Sequence, residues 1–202
     1  MEEIKKEFNL EFADKYAIDN EERRRLWLNQ DIDADVIDDY VYMIFMWNRE
    51  DDGIAPESRK PIVIYINSPG GCVTSGYALI DAIQASRTPI ITVNLGICYS
   101  MGLLIYLAGH KRYAMPHATF LMHDGSTGMF YESAAKVADR LEFEKQQTEE
   151  RTKQFILSRS SLTEDQYAEK YRIEWYFYPE EGKSYDMVDA IIGEDCSIES
   201  IL

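Results

Sequence analysis

At 202 residues the chain is long enough for one domain with a sizeable core. Its 46% hydrophobic and 28% charged residues are the balance of an ordinary globular protein. A net charge of −15 would repel phosphate, which argues against nucleic acid and anionic membrane surfaces as partners. The three cysteines, Cys72, Cys98 and Cys196, have no metal-ligand spacing, and their odd number speaks against a disulfide framework. A reducing, cytoplasmic setting is therefore expected. Residues 1–30 contain no apolar stretch of secretory length, so no signal peptide is expected.

In chain order, residues 1–24 read as a polar N-terminal arm with some helix. A short strand is expected at Arg25-Leu26-Trp27-Leu28. Over residues 31–47, Ile32, Val36, Ile37, Tyr40, Val41, Ile44 and Trp47 recur at three and four, which predicts an amphipathic helix. Asp31, Asp33 and Asp35 near its start suit the positive end of the helix dipole. Without a glycine turn and a closing glutamate at loop spacing they are not an EF-hand. After a charged loop, Pro61-Ile62-Val63-Ile64-Tyr65-Ile66 is a continuous apolar run, the pattern of a parallel strand covered on both faces. It ends in Asn67-Ser68-Pro69-Gly70-Gly71, and residues 73–86 follow with helical spacing of Tyr77, Ile80 and Ile83.

Residues 88–110 form the longest uncharged run, long enough to cross a bilayer. Pro89, Asn94, Gly96, Ser100 and Gly102 interrupt it, and its composition changes from β-branched to Leu-rich halfway along. It predicts a buried strand at Ile90-Ile91-Thr92-Val93 and a buried helix ending near Gly109. Strand, helix, strand, helix is the order of right-handed βαβ units in a mainly parallel sheet. Ligands of such sheets bind beyond the carboxyl ends of the strands. Gly70-Gly71 and Ser100 both stand at such ends.

Two shorter strands are expected near residues 112–115 and 118–123. A long helix over residues 132–159 carries a narrow stripe, Ala134, Val137, Leu141, Thr148, Thr152 and Phe155, among many charges. Such a stripe suits a helix that leaves the body and packs on a partner subunit. Thr163 caps a short helix, Trp175-Tyr176-Phe177-Tyr178 is an aromatic strand or turn, and Pro179 opens a last helix. The tail after Gly193 is expected to be loose.

Nucleophilic catalysis by serine requires a general base, an acid that orients it, and donors for the oxyanion. Ser100 stands at a strand-to-helix switch, where a serine is either a cap or a nucleophile. Of three histidines, His110 and His117 flank charged or proline-bearing turns, whereas His123 ends the apolar run Phe120-Leu121-Met122. The Pro69-Gly70-Gly71 turn can expose backbone N–H groups at close range. Each signal alone is weak.

Together, Asn67-Ser68-Pro69-Gly70-Gly71, Tyr99-Ser100-Met101-Gly102 and Leu121-Met122-His123 resemble the proteolytic subunits of the Clp protease family. The resemblance runs from about residue 25 to residue 192 and includes the closing segment Glu180-Glu181-Gly182-Lys183-Ser184-Tyr185-Asp186-Met187-Val188-Asp189. It implies an α/β chain with the ClpP/crotonase-like fold, repeated βαβ units and a mainly parallel sheet. It divides the chain into the arm 1–24, a peptidase domain 25–193 with a projecting handle of a strand plus a long helix at about 124–160, and the tail 194–202.

The implied activity is that of a serine endopeptidase acting through an acyl-enzyme, with no metal and no cofactor. Ser100 matches the nucleophile, His123 the general base, and the amides of Gly71 and Met101 the oxyanion donors. Gly70, Gly125, Ser126 and Thr127 match positions that bind the substrate peptide. The implied partners are further copies of the chain in stacked heptameric rings, a Clp-family AAA+ unfoldase, and peptide or unfolded protein as substrate. Glu174 falls where the family carries its orienting aspartate, and Ile173 where an arginine usually precedes it. Glutamate serves as the orienting acid in some hydrolases, so the exchange is compatible with activity. The pair Ile173-Glu174 also motivates an alternative, a catalytically inactive homologue that acts as an assembly partner. A further alternative is a crotonase-type acyl-CoA enzyme, which shares the fold and a two-amide oxyanion hole.

Overall fold

The computed structural model describes residues 12–125, 133–143, 145 and 149–202. Ser126, Thr127, Thr148 and the expected handle strand lie outside the described residues. Helix α1, Phe12–Arg23, leads into β1, Arg25–Leu28. Helix α2, Tyr42–Glu50, is entered through a wide π turn over Ile37–Val41. Then come β2, Ile62–Ser68, α3, Val73–Ala85, β3, Ile90–Tyr99, and α4, Met101–Ala108. Short strands β4, Lys111–Ala114, and β5, Thr119–Met122, precede helices α5, Ala134–Phe143, α6, Glu150–Ser158, and α7, Glu164–Tyr171. The chain closes with β6, Trp175–Phe177, α8, Pro179–Ser184, and β7, Ala190–Ile191.

Strands β1, β2, β3, β4 and β7 lie side by side in that order, all parallel. β5 pairs parallel with β3, and β6 pairs antiparallel with β5. β2 is buried along almost its whole length, as its continuous apolar run predicts. Alternation divides its side chains between two faces. Ile62, Ile64 and Ile66 join the main core with α3 and α4, while Val63 and Tyr65 join a second, smaller cluster with Val93, Ile192 and Ile201.

That second face corrects the expectation of a loose C-terminal tail. Residues Ile198–Ile201 form a 3-10 turn, Ile201 is buried, and the Tyr65 hydroxyl donates to the Ile201 carbonyl. Lys183 pairs with Asp195 on the same side of the chain end. The apolar odd positions of β2 and β3 need cover, and the tail supplies it.

Two other expectations are revised. The helix predicted over residues 31–47 begins only after Ala34, because Ile32 is drawn into an isolated parallel bridge with Gly71. Asp33 accepts the backbone N–H of Asp35, the local capping role its position suits. The strand predicted at residues 90–93 instead runs on through Gly96 to Tyr99. Its first half pairs with β4 and its second half with β5. At the change of partner, side chains replace ladder bonds: Asn67 Oδ1 accepts from Ile97 N, Asn94 Oδ1 accepts from Gly96 N, and Asn94 Nδ2 donates to the Thr119 carbonyl. A Cβ at Gly96 would lie 2.7 Å from Asn67 Oδ1 and would push that amide away from Ile97 N.

Helix α4 is buried at every residue, and among the described residues no helix is long and apolar enough to cross a membrane. All three cysteines are free thiols. Thr163 caps α7 as expected, and Gln166 closes the reciprocal bond of a capping box.

The start of the sheet is locked by a buried ion pair. Arg24 donates through both terminal nitrogens to Asp51, at 2.7 and 2.9 Å, and the Thr88 hydroxyl donates to the same carboxylate at 2.7 Å. Arg59 in turn donates to Thr88. Asp51 is only 4% exposed, and removing its carboxylate leaves Arg24 with the Lys60 carbonyl at 3.1 Å and the more distant Glu50 carboxylate at 3.6 Å. Asp51→Ala is expected to destabilise the fold by roughly 3–5 kcal/mol. The Arg24 hydrogen bond, aided by Thr88, holds the Asp51 carboxyl below its ordinary value. Its contribution is therefore full above the ordinary carboxylate range and is lost as pH falls through the lowered value. Thermal unfolding at pH 7 and in acid should show the gap between wild type and variant narrowing only on the acid side.

Candidate active site

The carboxyl ends of β2, β3 and β5 converge on one spot, with α4 starting beside them. At the end of β2 the chain must turn sharply under β3, and the Ser68 side chain shapes that turn. The fully buried Ser68 hydroxyl donates to the Gln30 carbonyl at 2.6 Å and accepts from Gly70 N at 3.2 Å. Gly70 and Gly71 then take φ of +103° and +146°. A Cβ on Gly70 would lie 2.8 Å from both Ser100 Cβ and the Tyr99 carbonyl, and 3.1 Å from Met101 N. The turn is thus packed directly against the Ser100–Met101 peptide.

The direction of the Gly71 amide follows from its bridge. Ile32 N donates to the Gly70 carbonyl at 2.8 Å, and Cys72 N donates to the Ile32 carbonyl at 2.6 Å. In a parallel bridge with that pattern, the N–H of the residue between points away from the partner strand. Ile32 follows β1, which lies on one side of β2, and Ser100 follows β3, which lies on the other. The Gly71 N–H therefore faces the Ser100 side.

Ser100 sits at φ +53° and ψ −121°, a left-handed conformation rare for a side-chain-bearing residue. Its N–H donates to the Leu121 carbonyl at 2.9 Å, and its carbonyl accepts from Leu103 N at 3.0 Å, which pins the strained turn at both ends. Its hydroxyl makes no capping bond to α4. The side chain is left for other use. Met101 N is at the first residue of α4, where an N–H has no partner within the helix. The helix can start this close to β2 because Gly102 approaches the Ser68 carbonyl, where a Cβ would come within 3.0 Å. The Met101 side chain lies where a Cβ of Gly76 on α3 would be.

Ser100, Met101, Met122, His123 and Gly125 line one cavity of about 540 Å³. Its other walls come from α3, α4 and the base of α6: Val73, Leu104, Thr152 and Ile156 among them. Arg140, Phe143 and Glu149 face it from the α5–α6 side. Tyr77 on α3 and Thr152 on α6 share a hydroxyl–hydroxyl bond of 2.6 Å, which fixes that wall. The other two histidines lie elsewhere, both exposed; His110 Nδ1 accepts from Ile90 N at 2.8 Å. Although the residue as a whole is exposed, partial desolvation of its ring, aided by the charge of Arg159, pushes the His110 imidazole below its ordinary value.

Glu174 does not line the cavity. It is exposed, one residue before β6, and the Tyr176 hydroxyl donates to its Oε2 at 3.5 Å. The β5–β6 ladder pairs Phe120 with Phe177, Leu121 with Tyr176 and Met122 with Trp175. Carried one step further, the same register sets His123 opposite Glu174. Asp124, next to His123, is exposed. Among the described residues there is no group of three side chains suited to hold a metal ion.

Two residues that shape the site escaped the sequence reading. Gly76 permits the close approach of α3 to Met101, and a glycine in mid-helix is the signal that marks it. Tyr176 read only as part of an aromatic strand, because its hydroxyl's partner depends on strand alternation.

Comparison with known proteins identifies the family. A family model described as Clp protease matches residues 13–195. The ATP-dependent Clp protease proteolytic subunit 2 of Tropheryma whipplei is 31% identical over 177 residues, covering 84% of this chain and 91% of that protein. The subunit of the same description from Nocardia farcinica is 33% identical over 171 residues, covering 84% and 80%. ATP-dependent Clp protease proteolytic subunit 3 of Parasynechococcus marenigrum is 29% identical over 174 residues, covering 84% and 82%. The chain belongs to the Clp protease family, a family of serine peptidases, and is similar along most of its length to proteolytic subunits.

Proposed function

We propose that the chain is the proteolytic subunit of an ATP-dependent Clp-type protease and cleaves peptide bonds through an acyl-enzyme on Ser100. The observation that carries this reading is the shared cavity of Ser100 and His123, with the serine hydroxyl unused as a cap. His123 takes the Ser100 proton as Oγ attacks the scissile carbonyl. The amides of Gly71 and Met101 hold the oxyanion, and His123 returns the proton to the leaving amine. Water then repeats the sequence on the acyl-enzyme. Glu174 orients the imidazole and stabilises its charged form. Gly70, Gly125, Ser126 and Thr127 hold the substrate main chain by strand addition.

The assembly is a pair of stacked heptameric rings served by a AAA+ unfoldase, in the cytoplasm, since members of the family form rings with such partners. Helix α5 supports a partner-facing role: none of its residues is buried, and Leu141 and Phe143 are 44% and 63% exposed. Strained Ser100 and the two glycine φ values fit preorganised chemistry better than passive packing. One observation favours a second reading, a catalytically inactive assembly partner: Glu174 is exposed and outside the cavity lining.

The test is hydrolysis of short fluorogenic peptides by the assembled protein, with a fluorophosphonate probe read out at Ser100. Labelling and ATP-independent hydrolysis are expected, and Glu174→Ala is expected to lower kcat by roughly 10²–10⁴. An assembled particle with intact His123 that neither hydrolyses peptides nor takes the probe would leave the inactive partner as the reading.

A further inference from the structure

Strand β6 alternates cleanly. Trp175 and Phe177 are buried, whereas Glu174, Tyr176 and Tyr178 are exposed. Glu174 and Tyr176 therefore share one face, two residues apart, and the Tyr176 hydroxyl reaches the Glu174 carboxylate. The tyrosine ring is itself anchored. Tyr99, Leu121 and Tyr176 form one row across β3, β5 and β6, and Tyr99 meets Tyr176 edge to face, with centroids 5.7 Å apart and planes at 88°. The Tyr99 hydroxyl is fixed in turn by Thr119 Oγ1 at 2.8 Å. Tyr99 is the residue before Ser100, so this row lies immediately behind the one that carries His123 and Glu174.

An exposed glutamate has three rotatable side-chain bonds and needs a partner to hold one rotamer. Its neighbour Ile173 is exposed and offers no donor. A tyrosine phenol is protonated at neutral pH and so able to donate; desolvation first, then the charge of Glu174, pushes that of Tyr176 further up from its ordinary value. We propose that Tyr176 is a positioning residue for the reaction. Anchored edge-on to Tyr99, its hydroxyl holds the Glu174 carboxylate facing His123. The proposal rests on the Ser100–His123–Glu174 reading above.

Tyr176→Phe keeps the ring and its contact with Tyr99 and removes only the hydroxyl. In the assembled protein it is expected to lower kcat roughly three- to tenfold while KM stays within about twofold. In a Glu174→Ala background the same change is expected to alter kcat by less than about twofold, because the partner is gone. Equal factors in both backgrounds, an unchanged kcat for Tyr176→Phe, or an unchanged kcat for Glu174→Ala would each overturn the proposal. Probe labelling of Ser100 separates the levels. A wild type that is neither labelled nor active removes the triad reading and this proposal with it. A labelled, active wild type that is impaired by Glu174→Ala but not by Tyr176→Phe removes the proposal alone.

Discussion

Ser100→Ala is expected to lower kcat on fluorogenic peptides by about 10⁵–10⁶ and to abolish fluorophosphonate labelling, leaving particle size unchanged. The magnitude reflects loss of the attacking atom, after which only oxyanion stabilisation and binding remain. Stability should change little or rise. Ser100 occupies φ +53°, and its hydroxyl makes no capping bond that alanine would forfeit. The backbone bonds that hold the turn, from Ser100 N to Leu121 O and from Leu103 N to Ser100 O, do not involve the side chain. Activity and melting temperature measured on the same preparation separate this outcome from misfolding. A variant with residual peptidase within tenfold of wild type would remove Ser100 from the chemistry.

Gly71→Ala is expected to lower kcat by about 10²–10³ through loss of one oxyanion donor. The added Cβ would sit 2.3 Å from the Ile32 carbonyl oxygen, a contact no backbone atom tolerates. Relief requires opening the Ile32 bridge, which turns the Gly71 N–H away from Ser100. The φ of +146° adds strain of its own. Because Ile32 bonds both Gly70 and Cys72, some stability is lost as well. Probe labelling distinguishes the two effects, since a folded variant with a displaced amide is expected to react with the fluorophosphonate more slowly while its particle size is retained. A kcat within twofold of wild type would show that the Gly71 amide holds no developing charge.

Much of this was legible in the chain itself. The apolar run of β2, the helix starts at Thr163 and Pro179, and the strand-to-helix switch at Ser100 are short-range features. They depend on side-chain spacing and on which φ values a residue tolerates, so a window of a dozen residues suffices to read them. The motifs around Gly70, Ser100 and His123 added the family, which the comparisons show.

Tertiary structure decided the rest, and in each case a distant partner overrode a local pattern. Ile32 has helical spacing but is claimed by Gly71, and the predicted end of β3 at Val93 is overridden by pairing with β5. The tail looks loose by composition, yet Val63 and Tyr65 leave an apolar face that Ile201 covers. Glu174 is the clearest instance. Its distance from His123 depends on the register between β5 and β6, and a slip of one residue would carry it to the opposite face. Local spacing determined that a serine, a histidine and two glycines stand at strand ends. Only strand pairing across fifty residues brought those ends together, because the hydrogen bonds that set register join residues no local pattern relates.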